Sequence, residues 1–308
     1  MRVNGAGAHL TTMPHYRGRF APSPTGPLHF GSLVAALGSC LDARAVGGEW
    51  LLRMEDVDAP RCTVDAADAI LHALDAFGFA WDGSVAWQSE RDAAYAAALG
   101  QLRERGMVFP CACTRRELAD SRLGVATDGA SIYPGTCRDG LPAGRDGRAW
   151  RLRVNQEHVQ FVDRVQGAVE CDLHHEVGDF VLRRADGVFA YQLVVVVDDA
   201  EAGITHIVRG ADLLASTPRQ IFLQRCLGLP TPDYAHLPVV LNAAGEKLSK
   251  QTLAAPLNTV QPLSQLVSAL HVLGQRPPAD LVESSLDEFW SWAISHWSLA
   301  LVPRQAPL

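Results

Sequence analysis

The chain has 308 residues, of which 48% are hydrophobic, and its formal net charge at pH 7 is -7. This length and composition predict roughly two domains with a substantial core, whereas the longest strongly apolar run, residues 193–197, is too short to cross a membrane. The seven cysteines, an odd number, argue against a disulfide framework. Residues 1–14 lack the apolar core of a signal peptide, so we expect a cytoplasmic protein.

Strand and helix signals alternate along the chain. They predict strands at residues 17–21 and 50–54 and helices at 32–46, 65–77 and 89–105. Cysteines, glycines and prolines then interrupt the pattern until about residue 150. Further strands are predicted at 149–154, 179–183, 193–197 and 205–208, followed by a helix after Pro218. This order is typical of an α/β nucleotide-binding fold that is split by an inserted domain.

The pattern divides the chain into five predicted segments. Residues 1–16 form a flexible N-terminal extension, and residues 17–105 and 193–236 form the two halves of a catalytic domain. Residues 106–192 form an inserted α+β domain, and residues 237–308 hold a loop and a short helical C-terminal region. Ligands of such folds bind at the carboxyl ends of the parallel strands, so the functional residues are expected there.

A turn rich in proline and glycine joins the first predicted strand to the first predicted helix. A helix N-terminus presents unpaired N–H groups and the positive end of the helix dipole, so such a turn can hold a phosphate. The turn and its flanks comprise Arg19, Phe20, Ala21, Pro22, Ser23, Pro24, Thr25, Gly26, Pro27, Leu28, His29, Phe30, Gly31 and Ser32.

Both lysines of the chain lie in one short stretch, whereas all other basic residues are arginines. Lysine offers a compact, mobile ammonium where arginine offers a planar fork, and phosphate handling is a usual reason for keeping the ammonium. Chance clustering is the alternative, but the phosphate-type turn near the N-terminus weakens it. The stretch consists of Lys247, Leu248, Ser249, Lys250 and Gln251.

Together the two segments resemble the paired nucleotide-binding signatures of class I aminoacyl-tRNA synthetases. Ser32 and Gln251 depart from the general family pattern, and both substitutions are common in its glutamyl branch. The resemblance implies a Rossmann-type catalytic domain that binds ATP with Mg²⁺ through residues 22–32 and 247–251. It also implies that His29 and Lys250 stabilise charge on the phosphates while the amino acid is activated.

The amino acid can be argued from the ends of the predicted strands. Arg19, Glu55 and Arg209 follow or end strands, and Tyr191 precedes the apolar run. Arginine pairs with carboxylates and glutamate pairs with an ammonium, so the set suits an acidic amino acid, although ordinary surface ion pairs are the alternative for each residue. The resemblance adds residues 19–23 to the glutamate site. It favours glutamate over glutamine, because the glutaminyl branch has no basic residue at the position of Arg209.

The inserted domain contains three closely spaced cysteines. Cys111, Cys113 and Cys137, with Tyr133 as a fourth, oxygen ligand, fit a structural Zn²⁺ site, while three buried free thiols are the alternative from spacing alone. The same arrangement, with its tyrosine, resembles one small branch of the glutamyl family. The other cysteines, Cys40, Cys62, Cys171 and Cys226, have no ligand spacing and are predicted to be core thiols.

The expected acceptor is an RNA. Residues 103–164 contain 11 arginines and 8 acidic residues, a local excess of +3 in an acidic chain, although a solvated charged surface is the alternative. Only residues 251–308 follow Lys250, so we expect no helical anticodon-binding region of the kind that a tRNA-charging enzyme carries. From about Arg17 onward the chain resembles a truncated glutamyl branch that attaches glutamate to queuosine in the anticodon of tRNA(Asp).

The resemblance thus implies a monomeric ligase whose partners are ATP, L-glutamate and tRNA(Asp) containing queuosine. Two other functions stay open. The first is a glutamyl enzyme that charges a tRNA 3′ end. The second is a non-catalytic, zinc-bearing RNA-binding protein, against which the lysine stretch and His29 argue.

Overall fold

The computed structural model describes residues 15–121, 132–240 and 255–304. A parallel sheet of order β1-β2-β3 and a parallel pair β9-β10 form one part of the described chain. The described strands are β1 (Arg17–Phe20), β2 (Glu49–Met54), β3 (Ala86–Trp87), β4 (Val108–Cys111), β5 (Ala149–Leu152), β6 (His158–Asp163), β7 (Gly167–Asp172), β8 (Phe180–Arg183), β9 (His206–Gly210) and β10 (Asp233–Leu237).

Helices cover these parallel strands. β9 lies beside β1, where the amide of Thr205 donates to the carbonyl of Arg17 at 2.9 Å, so the two sets of parallel strands are adjacent. The described α-helices are α1 (Phe30–Arg44), α2 (Val64–Ala76), α3 (Asp92–Glu104), α4 (Arg115–Asp120), α5 (Leu173–Glu176), α6 (Tyr191–Glu201), α7 (Thr217–Leu227), α8 (Pro262–Val272) and α9 (Leu286–His296). No described helix is both long and apolar enough to cross a membrane.

The first three helices confirm the predicted segments, with ends shifted by three residues at most. Caps explain two of their starts. The side chain of Thr63 accepts a hydrogen bond from the amide of Ala66 at the start of α2, and the His29 ring does the same for Ser32 at the start of α1. Helix α1 packs against β1, β9 and α8, and its apolar residues belong to a core that includes Trp50 and Phe289.

The predicted strand at residues 193–197 is wrong, because these residues lie within helix α6. The run is almost fully buried, with Val197 the most exposed member at 5%. A short apolar run that is buried on every side has no periodicity to separate a strand from a helix, and the β-branched valines favoured the wrong choice. The domain boundary predicted after residue 192 falls inside this helix.

The segment between α3 and α6 contains antiparallel structure. Strands β4, β5 and β8 form one sheet, and β6 pairs with β7 as a hairpin. The sequence pattern predicted β5 and β8 but missed β4, α4, α5 and the hairpin. The turn of the hairpin docks on the catalytic part of the chain, since the amide of Arg164 donates to the carbonyl of Tyr234 at 2.8 Å and its side chain pairs with Asp42 at 2.6 Å.

Candidate active site and metal centre

A cavity of about 660 Å³ opens at the carboxyl ends of the parallel strands, beside the N-terminus of α1. The residues predicted for glutamate all line it: Arg19, Phe20, Ala21, Pro22, Ser23, Glu55, Tyr191 and Arg209. Of the predicted ATP residues, those at its wall are Pro22, Ser23, Thr25, Leu28, His29, Gly31 and Ser32. Pro24, Gly26, Pro27 and Phe30 belong to the same turn and helix start without lining the cavity.

The predicted lysine stretch, residues 247–251, lies outside the described residues. The chain that follows it, however, runs along the start of α1. Pro256 forms an antiparallel bridge with His29, and the amide of Leu257 donates to the carbonyl of Leu28 at 3.0 Å. These contacts hold the segment next to the lysine stretch against the phosphate-type turn.

A buried ionic network lies behind the cavity wall and reaches the cavity through Arg19 and Glu55. Asp199, on α6, accepts from Nε and Nη2 of Arg19 at 3.1 and 3.3 Å and from Nη1 of Arg53 at 2.6 Å. Burial alone would raise the pKa of Asp199, but the charges of Arg19 and Arg53 hold it below its usual value. Arg19 was predicted to bind the substrate, and the structure pairs it with this carboxylate as well. The prediction missed Arg53 and Asp199 as members of the site.

Glu55 follows β2 at the wall of the cavity and accepts from Nη2 of Arg53 at 3.1 Å. Burial raises the pKa of Glu55, with the charge of Arg53 acting against the shift. A buried carboxylate of this kind gains from a second positive partner. It can therefore pair with the ammonium of an amino acid.

Tyr191 opens helix α6 and lines the cavity, so its position is the first turn of a helix rather than the start of a strand. Burial raises the pKa of its phenol, which keeps it neutral and able to donate or accept a hydrogen bond. Helix α6 thus carries two residues of the site, with Tyr191 at its beginning and Asp199 two turns further along.

Arg209 is held at two of its three nitrogens. Its Nε donates to Nε2 of His236 at 3.1 Å, and its Nη2 donates to Oγ1 of Thr217 at 2.8 Å. The buried Nη1 has no hydrogen-bond partner among the described residues. Arg209 lines the cavity, is 5% exposed and keeps one nitrogen available for a further hydrogen bond, an arrangement suited to a carboxylate ligand. The sequence analysis identified Arg209 but missed His236 and Thr217.

The three predicted metal ligands converge in the insertion. The sulfur atoms of Cys111, Cys113 and Cys137 all lie within 4.8 Å of one another, and those of Cys113 and Cys137 are 3.6 Å apart. The phenol oxygen of Tyr133 lies 3.6 Å from the sulfurs of Cys111 and Cys113. Tetrahedral zinc with Zn–S bonds of about 2.3 Å places its ligands about 3.8 Å apart, so this donor set fits a metal such as zinc.

Of the remaining cysteines, Cys40, Cys171 and Cys226 are buried, as predicted for core thiols, whereas Cys62 is only half-buried. Arg151 places its guanidinium 4.0 Å above the ring of Tyr133. Burial would raise the pKa of Cys111, yet hydrogen bonding and the Arg151 charge lower it overall. The thiolate, the form that binds metal, therefore forms more readily at Cys111 than at an unperturbed cysteine.

The family model of the class I tRNA synthetases (E and Q), catalytic domain, matches residues 15–270, and the chain belongs to this family. Its curated relatives point to one branch. It is 63% identical to the glutamyl-Q tRNA(Asp) synthetase of Dechloromonas aromatica over 94% of this chain and 97% of the relative. It is 59% identical to the protein of the same name from Chromobacterium violaceum, over 95% of this chain and 98% of the relative.

Solved structures show a similar fold. The glutamate-tRNA synthetase of Elizabethkingia anophelis aligns with a TM-score of 0.77 at 25% identity, covering 95% of this chain and 68% of that chain. A glutamate tRNA ligase from Elizabethkingia meningosepticum, in complex with its amino acid, aligns with a TM-score of 0.76 at 27% identity, covering 94% and 66%. The predicted class I, glutamyl-type fold is therefore confirmed.

Proposed function

We propose that this chain activates L-glutamate with ATP and transfers the glutamyl group to queuosine in the anticodon of tRNA(Asp). The names of its curated relatives support this acceptor, and the chain aligns with almost the whole length of those relatives. The observation in the structure that carries the amino acid is a cavity lined by both Glu55 and Arg209, whose Nη1 has no hydrogen-bond partner among the described residues. The arginine pairs with the side-chain carboxylate, and Glu55 pairs with the ammonium.

Activation forms a mixed anhydride. An oxygen of the glutamate α-carboxylate attacks the α-phosphorus of ATP, a new P–O bond forms, and pyrophosphate leaves with the electrons of the broken bond. The ATP phosphates lie at the N-terminus of α1, where the dipole and free amides favour negative charge. His29, the N-cap of that helix, and Lys250 stabilise the charge that moves to the leaving group. Mg²⁺ bound with ATP would neutralise part of the phosphate charge and orient the phosphates.

Transfer completes the reaction. A hydroxyl of the cyclopentene diol of queuosine attacks the carbonyl carbon of glutamyl-adenylate, an ester forms, and AMP leaves as the hydroxyl loses its proton. No side chain of the protein becomes covalently attached, because positioning and electrostatics are sufficient for both steps. The fold is of the Rossmann type, with the reacting groups at the carboxyl ends of β1, β2 and β9.

The cysteine cluster holds a structural zinc ion through Cys111, Cys113, Cys137 and Tyr133. Four protein ligands leave no open position for substrate, so the metal stabilises the insertion rather than taking part in activation. The distances among the three sulfurs, and from the Tyr133 oxygen to Cys111 and Cys113, support zinc binding. The tRNA and ATP substrates place the protein in the cytoplasm.

Two measurements test the function. Purified protein with glutamate as the sole amino acid should exchange pyrophosphate into ATP, and Arg209→Ala should raise the KM for glutamate about 100-fold while changing the KM for ATP little. Labelled glutamate should then attach to tRNA(Asp) with queuosine and not to the same tRNA lacking it. Label on unmodified tRNA(Glu) would establish 3′-end charging instead, and no exchange at all would leave a non-catalytic RNA-binding protein.

A further inference from the structure

The orientation of Arg209 depends on a histidine that does not touch the cavity. His236 lies on β10 and is fully buried, and its Nε2 accepts the hydrogen bond from Nε of Arg209. Arginine is always protonated, so the Nε2 atom of His236 has to be the lone-pair nitrogen. The ring proton therefore belongs on Nδ1.

The partner of that proton is a carboxylate from another part of the chain. Nδ1 of His236 lies 2.6 Å from Oδ2 of Asp163, and both side chains are fully buried. Burial lowers the pKa of His236 to about 4, although Asp163 acts against the shift, so the ring is neutral at pH 7. Asp163 thus accepts from Nδ1 and fixes the tautomer that Arg209 requires.

Asp163 is itself held firmly. It ends β6, on the hairpin of the insertion, and its second oxygen, Oδ1, accepts from the amides of Val165 at 3.0 Å, Gln166 at 2.8 Å and His236 at 3.1 Å. Three amides on one oxygen leave only Oδ2 for the histidine ring. The carboxylate is therefore fixed in both position and rotation.

We propose that Asp163 and His236 are positioning residues for amino acid selection: Asp163 fixes the tautomer of His236, and His236 directs the guanidinium of Arg209 at the side-chain carboxylate of the substrate. The proposal rests on the glutamate activation proposed above. It assigns part of the specificity for an acidic amino acid to the inserted hairpin, which contributes no residue to the cavity wall.

The substitution Asp163→Asn tests the relay with almost no change of shape. The three amides require an acceptor, so the asparagine must place its oxygen at the Oδ1 position and its NH₂ group towards His236. Nδ1 then has to accept, the ring proton moves to Nε2, and two donors face each other where Arg209 now donates at 3.1 Å. We expect the KM for glutamate to rise about 10- to 100-fold, with the KM for ATP almost unchanged.

A double-mutant cycle separates this relay from a merely structural role. In His236→Gln, the amide oxygen can accept from Arg209 without any tautomer, so Asp163→Asn added to this background should raise the KM for glutamate by less than about threefold. The preference for glutamate over glutamine in kcat/KM should fall with Asp163→Asn alone. The matched control is Asp172→Asn, since Asp172, at the end of the same hairpin, makes the same contact, at 2.7 Å, with the exposed His175 of α5.

The exchange assay of all four variants and the unchanged protein decides the matter. The relay is supported if Asp163→Asn selectively loses glutamate affinity in the otherwise unchanged protein. This loss should be absent from Asp172→Asn, and it should not appear when Asp163→Asn is added to His236→Gln. Equal effects of Asp163→Asn in both backgrounds, or equal rises in both KM values, overturn it while the proposed function stands. No exchange by the unchanged protein overturns both. If Asp163→Asn fails to fold, His236→Leu, which removes the acceptor, should still lose glutamate affinity relative to His236→Gln, and equal affinities refute the proposal.

Discussion

Asp199 offers the sharpest test of what stabilises the buried ionic network behind the cavity. It is 2% exposed, and both of its arginine partners, Arg19 and Arg53, are 4% exposed. The substitution Asp199→Asn keeps the shape of the side chain and removes its charge. Arg53 keeps Glu55 at 3.1 Å, but Arg19 loses its one ion-pair partner among the described residues.

The expected loss follows from this burial. Breaking a buried pair by removing one charge costs about 3–5 kcal/mol, because the other charge stays buried without compensation. The entropy of unfolding is about 2.1 cal/mol/K per residue, or about 0.65 kcal/mol/K for 308 residues. Dividing the two gives a fall in Tm of about 5–8 °C.

The pH dependence has a definite sign. The pKa of Asp199 is lower in the folded protein than in the unfolded chain, so its contribution is complete above the unfolded pKa of about 3.9 and disappears as pH falls through the folded value. The difference in Tm between the two proteins should therefore be full at pH 7 and shrink below about pH 4.

Thermal unfolding followed by circular dichroism measures both effects. Asp120→Asn is the control, since Asp120 forms an exposed pair with Arg116 at 3.8 Å and should cost at most about 1 kcal/mol. If Asp199→Asn melts within a degree or so of this control at pH 7, the network does not stabilise the fold as argued.

Three further predictions concern the metal, the substrate ammonium and the lysine stretch. Metal analysis should find one zinc per chain, lost in Cys137→Ser with a lower Tm but with exchange retained; direct loss of exchange on zinc removal would contradict a structural role. The KM for glutamate should rise as pH falls, because a protonated Glu55 cannot pair with the substrate ammonium. Burial raises the pKa of Glu55, so this rise should begin at a pH above the usual titration range of a carboxyl group. Glu55→Gln should abolish the pH dependence, and an unchanged profile would exclude Glu55 as the titrating group. Lys250→Arg should lose most exchange activity with an unchanged Tm, and near-normal exchange would remove Lys250 from the mechanism.

The parts of the site that the sequence predicted are those with a strong local signal. The turn before α1 and the clustered cysteines are recognisable because few unrelated structures share their residue types and spacing. Arg209 was identified because it ends a strand at the edge where ligands bind. Each of these predictions required only residues that are close together in the chain.

The residues that were missed depend on tertiary contacts. His236 and Asp163 are 73 positions apart, and nothing in the segments around them indicates that they meet. A buried histidine in a strand is usually a core residue, and the alternation of β6 ending in Asp163 was the signal that could have revealed the hairpin. The error at α6 has the same origin, since only the surrounding helices decide that five apolar residues are helical there.

The docking of the hairpin turn on β10 limits how the protein can be re-engineered. An insertion exchanged between relatives as a cassette would carry new residues to the positions of Asp163, Arg164 and Gln166, all of which contact β10. If the proposed relay holds, a chimera with a foreign insertion would therefore also bind glutamate differently. To change the RNA acceptor while keeping the specificity for glutamate, a graft would have to leave the residues of this turn unchanged.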